Sequence, residues 1–197
     1  MRTAIISDIH GNYPALMKVL EDARMEHVDK FIFLGDYYLD FPYANEVALE
    51  LMAMENAYII KGNREQIMKH YRERNPEDTI NSRNAVIYHV IQEMTQETYD
   101  YLNDLEDELY IRLNPNTLVY ATHVSPIYDK LLNNKCCNNI SYAQAMLEKP
   151  FTHEEFLIDY HNFINSDICT PYIQNINANI ILYGHNHYKV THTAEIN

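Results

Sequence analysis

Three short apolar runs, RTAIIS at residues 2–7, KFIFLG at 30–35 and AYIIKG at 57–62, alternate with two segments of helical period. In the first segment Leu16, Leu20 and Ala23 fall on one face; in the second Val47, Leu51 and Met54 do. Pro14 and Pro42 stand near the starts of these segments, where a helix tolerates proline because the missing N–H has no partner there. This β-α-β-α-β alternation predicts parallel strands joined by right-handed crossovers. Sheets of that kind take their ligands beyond the carboxyl ends of the strands. The peptides DIHGN, GDYY and GNRE occupy those three positions.

Downstream, residues 63–108 read as helical, most clearly in TQETYDYLNDL. NTLVYATH is expected to be a later strand that delivers His123, and NANIILYGHNH a final strand that delivers His185 and His187. THEEFLIDYHNFI opens with a capping box, Thr152 to Glu155. Residues 126–150, with NNKCCNN, read as a long loop. No stretch has the composition of a linker, so residues 1–197 are expected to form one domain.

Glycine is scarce, with four in 197 residues, and each one adjoins a residue that can bind metal. The pairs are His10–Gly11, Gly35–Asp36, Gly62–Asn63 and Gly184–His185. Glycine marks places where the backbone turns sharply or comes close to something. Four such neighbours point to one site assembled from four turns. Its candidate residues are Asp8, His10, Asp36, Asn63, His123, His185 and His187. Asp-x-His at a strand end can send two ligands to one ion. His-x-His can do the same, or serve two ions if the turn splays the rings. Two carboxylates, one amide oxygen and four imidazoles suit manganese, iron, nickel or zinc better than calcium or magnesium. Seven ligands exceed the needs of one tetrahedral ion and match two ions sharing a carboxylate.

Composition narrows the function classes. A hydrophobic fraction of 47% and a charged fraction of 22% provide for a sizeable core. The net charge of -13 argues against stable binding to nucleic acid or to an anionic membrane. A phosphate-bearing substrate stays compatible with it, because bound cations reverse the local field. The first apolar stretch is too short for a signal peptide or a membrane span, so the cytoplasm is the expected compartment. Cys136, Cys137 and Cys169 are odd in number and unsuited to a disulfide framework, and the sequon at Asn139 is read as accidental. The seventeen tyrosines come with no basic stripe and are read as packing residues, and the remaining six histidines as surface or core residues.

DIHGN, GDYY, GNRE, THVSP and GHNH, in that order, resemble the five sequence blocks of the calcineurin-like metallophosphoesterases, most closely their small bacterial phosphodiesterase and phosphatase members. The resemblance covers nearly the whole chain. It implies a mixed α/β fold of the metallo-dependent phosphatase type, a four-layer αββα sandwich. It also implies roles. Asp8, His10, Asp36 and His187 would hold one divalent metal ion, and Asp36, Asn63, His123 and His185 a second, with Asp36 bridging. Manganese is the expected metal, with iron, nickel or zinc as alternatives. The implied activity is hydrolysis of a small phosphodiester or phosphomonoester by a hydroxide generated between two metals, with Asp36, Asn63 and Arg64 as catalytic residues. The alternatives are a dinucleoside polyphosphate hydrolase and a catalytically weak metal-binding scaffold.

The chain departs from the family pattern in four places. Arg64 stands where many members carry a histidine that protonates the leaving group, and arginine holds phosphate oxygens without giving up a proton. Arg64 could instead pair with Glu65 or Glu77. Val124 replaces the usual glycine of the fourth block. No arginine follows Asp36 closely, which weakens a protein-phosphatase reading. Only YKVTHTAEIN follows the last block, so the fold is expected without the last C-terminal strands, and the open sheet edge is expected to favour a homo-oligomer.

Overall fold

The structure, a computed structural model, describes residues 1–73, 85–126, 173–185 and 187. Strands β1 (Thr3–Ile6), β2 (Lys30–Phe33) and β3 (Ala57–Ile59) form one sheet in that order. Both pairings are parallel, with Ile5 opposite Ile32 and Ile32 opposite Tyr58. The crossovers carry helices α1 (Tyr13–Met25) and α2 (Ala44–Met52). α1 begins where the Asn12 side chain accepts the Ala15 N–H, which satisfies one of the first-turn donors. It buries Leu16, Leu20 and Ala23, and α2 buries Ala44, Val47, Ala48 and Leu51. Met54 lies just past α2 and packs half-buried against the same core.

Three helices follow: α3 (Asn63–Glu73), α4 (Ala85–Glu93) and α5 (Gln96–Asp104). Thr95 caps α5 by accepting the Thr98 N–H. The helical reading of 63–108 therefore ends early. ELYIRLN, which the sequence reading did not identify as a strand, forms β4 (Glu108–Asn114). Its residues alternate between exposed and covered positions, as a half-buried strand requires. β4 pairs antiparallel with β5 (Thr117–Thr122), and β5 pairs parallel with β6 (Ile180–Leu182).

β2 is covered on both faces. Phe31 and Phe33 point into a core shared with α1, α2, α4 and α5, while Ile32 and Leu34 pack with Ile60 against Ile111, Val119 and Ala121 of the second sheet. Helices, first sheet and second sheet are three of the four expected layers among the described residues. The capping box at Thr152 and Glu155, the loop expected over 126–150 beyond Pro126, the three cysteines, Asn139 and the residues after His187 lie outside the described residues. Among the described residues no helix is long and apolar enough to cross a membrane.

The approach of the second and third turns depends on a pair of glycines. Gly35 has φ +99°, and a Cβ there would run into the backbone of Gly62. A Cβ on Gly62 would run into Asp36. Gly35→Ala is therefore expected to destabilise the fold by at least ~1–3 kcal/mol from backbone strain alone. Denaturant unfolding of the metal-free chain measures this. An unchanged midpoint would mean that the two turns do not meet as described.

Candidate metal centre

Every residue of the predicted constellation falls at the carboxyl end of a strand or at a helix start. Asp8 and His10 follow β1, Asp36 follows β2, Asn63 opens α3, His123 follows β5, and His185 and His187 follow β6. Backbone hydrogen bonds join the turns. Asp8 N donates to Gly35 O at 3.0 Å, His10 N to Asp36 O at 2.9 Å, and Gly184 N to His123 O at 2.9 Å. The two sheets are tied at the same point, where His185 N donates to Asp8 Oδ2 at 3.0 Å. Seven non-glycine residues have positive φ among the described residues, and five of them are Asp8, His10, Asp36, His185 and His187. Such backbone costs of order ~1–3 kcal/mol per residue and collects at sites that must aim a side chain.

The side chains gather into two groups that could each hold a metal ion, Asp8–His10–His187 and Asp36–His123–His185. Within each group the donor atoms lie within 4.8 Å of one another. In the first, His187 Nε2 is 3.1 Å from His10 Nε2 and 3.2 Å from Asp8 Oδ1. In the second, Asn63 Oδ1 joins the set, at 3.0 Å from His123 Nε2 and 2.8 Å from His185 Nδ1. Asp36 stands between them. Its Oδ1 is 3.4 Å from His123 Nε2 and its Oδ2 is 3.9 Å from His10 Nε2. His10, Asp36 and His123 are buried, whereas His187 is exposed.

This donor set fits divalent cations. Leu34 O can only accept, so His123 Nδ1, 2.5 Å away, must be the donor, which in the neutral ring leaves Nε2 as a lone pair aimed inward. Lone-pair atoms then face one another: two imidazole nitrogens in the first group, and an amide oxygen approached by two rings in the second. A cation among them satisfies all of these contacts at once, and the mixture of nitrogen and oxygen suits a transition metal.

The electrostatics agree. Burial alone would raise the Asp36 carboxyl, but His123 by charge and hydrogen bond, the Arg64 N–H and His10 outweigh it and bring it to about 2. Burial would lower His123, but Asp36, with help from Asp8 and Leu34 O, raises it to about 9. The pocket calls for positive charge, either a proton or a metal ion.

Arg64 does not pair with Glu65. Its Nε lies 3.9 Å from Asp36 Oδ2 and makes no hydrogen bond among the described residues, although it is buried. Glu77 lies outside the described residues. Asp40 escaped the sequence reading, and Glu65 entered it only as a partner for Arg64. Asp40 Oδ2 is 3.7 Å from His10 Nδ1. Glu65, 1% exposed, accepts the backbone N–H groups of Asp36, Tyr37 and Gly62. The spacing Gly62-x-x-Glu65, half of a capping box, was the available signal for it.

A family model described as calcineurin-like phosphoesterase matches residues 1–189. A solved metallophosphoesterase from Sphaerobacter thermophilus is 26% identical, with a TM-score of 0.50 over 64% of this chain and 47% of that one. Yfce, a phosphoesterase from E. coli, is 18% identical, with a TM-score of 0.38 over 63% of this chain and 58% of that one. The chain thus spans about half the length of these solved relatives. No curated protein matches it.

Manganese added to the chelator-treated chain is expected to raise its thermal midpoint, because binding at a hundred times Kd stabilises by about 2.7 kcal/mol per site. Calcium should do much less, since imidazole nitrogens suit it poorly. Thermal unfolding followed by circular dichroism provides the comparison. Identical midpoints with and without manganese would contradict the metal-binding assignment.

Proposed function

The chain belongs to the calcineurin-like phosphoesterases, and from that premise we propose that it hydrolyses a small phosphodiester or phosphomonoester with the help of two divalent metal ions. The observation that carries this reading is the position of Asp36, whose two oxygens face different donor groups. Asp8, His10, Asp36 and His187 would hold one ion, and Asp36, Asn63, His123 and His185 the other. Manganese is the first choice, with iron, nickel or zinc as alternatives.

Bound together, two such ions lower the pKa of water toward ~7 and offset charge on the phosphoryl oxygens. The chain's own residues supply position and field. Leu34 O holds His123 so that Nε2 faces the centre. The Arg64 N–H fixes Asp36 by donating to Oδ1 at 2.9 Å. The Arg64 side chain, a third exposed, reaches from the buried centre to its mouth, where a guanidinium can hold two non-bridging phosphate oxygens. It cannot protonate a leaving oxygen near neutral pH. All seven ligand positions are filled, which favours an enzyme over a scaffold that has lost its chemistry. Turnover of dinucleoside polyphosphates set beside simple mono- and diesters separates the remaining alternative.

Asp36→Asn is expected to lose more activity than any other single ligand change, since it alone would weaken both ions. If Asp36→Asn retains more turnover than His10→Ala, the bridge is assigned to the wrong residue.

Arg64→Ala should lose transition-state stabilisation of ~2.7–4 kcal/mol, by analogy with an oxyanion donor. Because Arg64 cannot protonate the leaving group, the wild-type rate should depend steeply on leaving-group acidity, so that p-nitrophenyl esters far outpace alkyl esters. Arg64→His should flatten that dependence. A leaving-group series at fixed manganese measures both. A shallow wild-type slope that the substitution leaves unchanged would show that another residue provides the proton.

A further inference from the structure

We infer that Glu65 is a positioning residue, whose buried carboxylate clasps the second and third turns together and thereby sets the spacing and aim of Asp36 and Asn63. The inference rests on the two-metal reading above.

Glu65 lies in the first turn of α3 and is almost completely buried. Its Oε2 accepts Gly62 N–H at 2.7 Å and Asp36 N–H at 2.9 Å, and its Oε1 accepts Tyr37 N–H at 2.9 Å. The Gly62 bond is local, the return stroke of a capping box. The other two reach 28 and 29 residues back along the chain, to the turn that carries Asp36. Only an ionised carboxylate offers two oxygens that accept and no group that donates. A glutamine would put an NH2 against one set of N–H groups and leave buried donors unpaired.

The surrounding bonds all run between the same two turns. Tyr37 Oη donates to Ile60 O at 2.6 Å and accepts Gly35 N–H at 3.0 Å. Tyr38 Oη donates to Arg64 O at 2.8 Å. Arg64 N–H, one residue before Glu65, donates to Asp36 Oδ1. Asp36 is thus held at its backbone by Glu65 and at its carboxylate by the peptide next to Glu65. Asn63, two residues before Glu65, is held by the same helix start.

The test compares wild type, Glu65→Gln, Glu65→Asp and, as a control for lost stability, Val47→Ala on the buried face of α2. Manganese affinity of the metal-free proteins is measured by calorimetry, together with their thermal midpoints and the separate kcat and KM for a p-nitrophenyl phosphodiester. Glu65→Gln is expected to weaken manganese binding by ~10–100-fold, as loss of an orienting partner does, and to lower kcat more than it raises KM. Val47→Ala should lose stability and keep wild-type affinity. Glu65→Asp, which keeps the charge and withdraws it, should fall between wild type and Glu65→Gln. Wild-type affinity in Glu65→Gln, or an equal loss in Val47→Ala, would overturn the inference. If Glu65→Gln does not fold, Glu65→Asp is judged by the same comparison. Failure of both to fold with manganese present would also overturn it, because the clasp would then hold the fold and not the site. A wild-type chain that binds no manganese removes the two-metal reading itself, and this result is distinct from tight binding that Glu65→Gln leaves intact.

Discussion

A single carboxylate, Asp36, lies between two groups of candidate metal-binding side chains, with one oxygen toward each. That position limits everything around it. The turns after β1 and β2 must touch, and the start of α3 must come up against both. The second sheet must then bring three imidazoles over the top. Each approach has a visible cost. Five of the candidate ligands sit in left-handed backbone, and two carboxylates, Asp36 and Glu65, are buried side by side. A chain with no cation to bind would gain nothing from this arrangement. Divalent ions turn the crowded lone pairs and the buried charge into ligands.

The layers of the fold supply the stiffness that the centre needs. β2 is buried on both faces, and Leu34 and Asp36 follow directly from its end. Leu34 uses its carbonyl to fix a histidine from the other sheet, so packing and ligand orientation share one residue. The charge of the whole chain fits the same picture. At -13 it disfavours anions in general, and an anionic substrate of the proposed kind would need a locally reversed field. Metal ions and Arg64 are what could reverse it at this centre.

Much of this was legible in the sequence, for physical reasons. The parallel sheet could be read because helical and strand periods alternate cleanly through residue 62. The clustering of the candidate residues could be read because glycine is so scarce, and each glycine marks a turn beside one of them. β4 was not read as a strand. Acidic residues run through it and the preceding helix, and the alternation of ELYIRLN spans only seven residues. Glu65 was seen only as a partner for Arg64. Two of its three hydrogen bonds go to backbone N–H groups of a distant turn, and backbone donors leave no trace in residue identity. The fate of Arg64 depended on the same geometry, because Glu65 faces inward and leaves the guanidinium to Asp36.

The central claim is that Asp36 bridges two metal ions. An anomalous difference map from crystals grown with manganese tests it most directly. Two peaks ~3.5–4 Å apart, one against each Asp36 oxygen, are the expected result, with Asp8, His10 and His187 around one and Asn63, His123 and His185 around the other. A single peak, or two peaks that do not share Asp36, would contradict it.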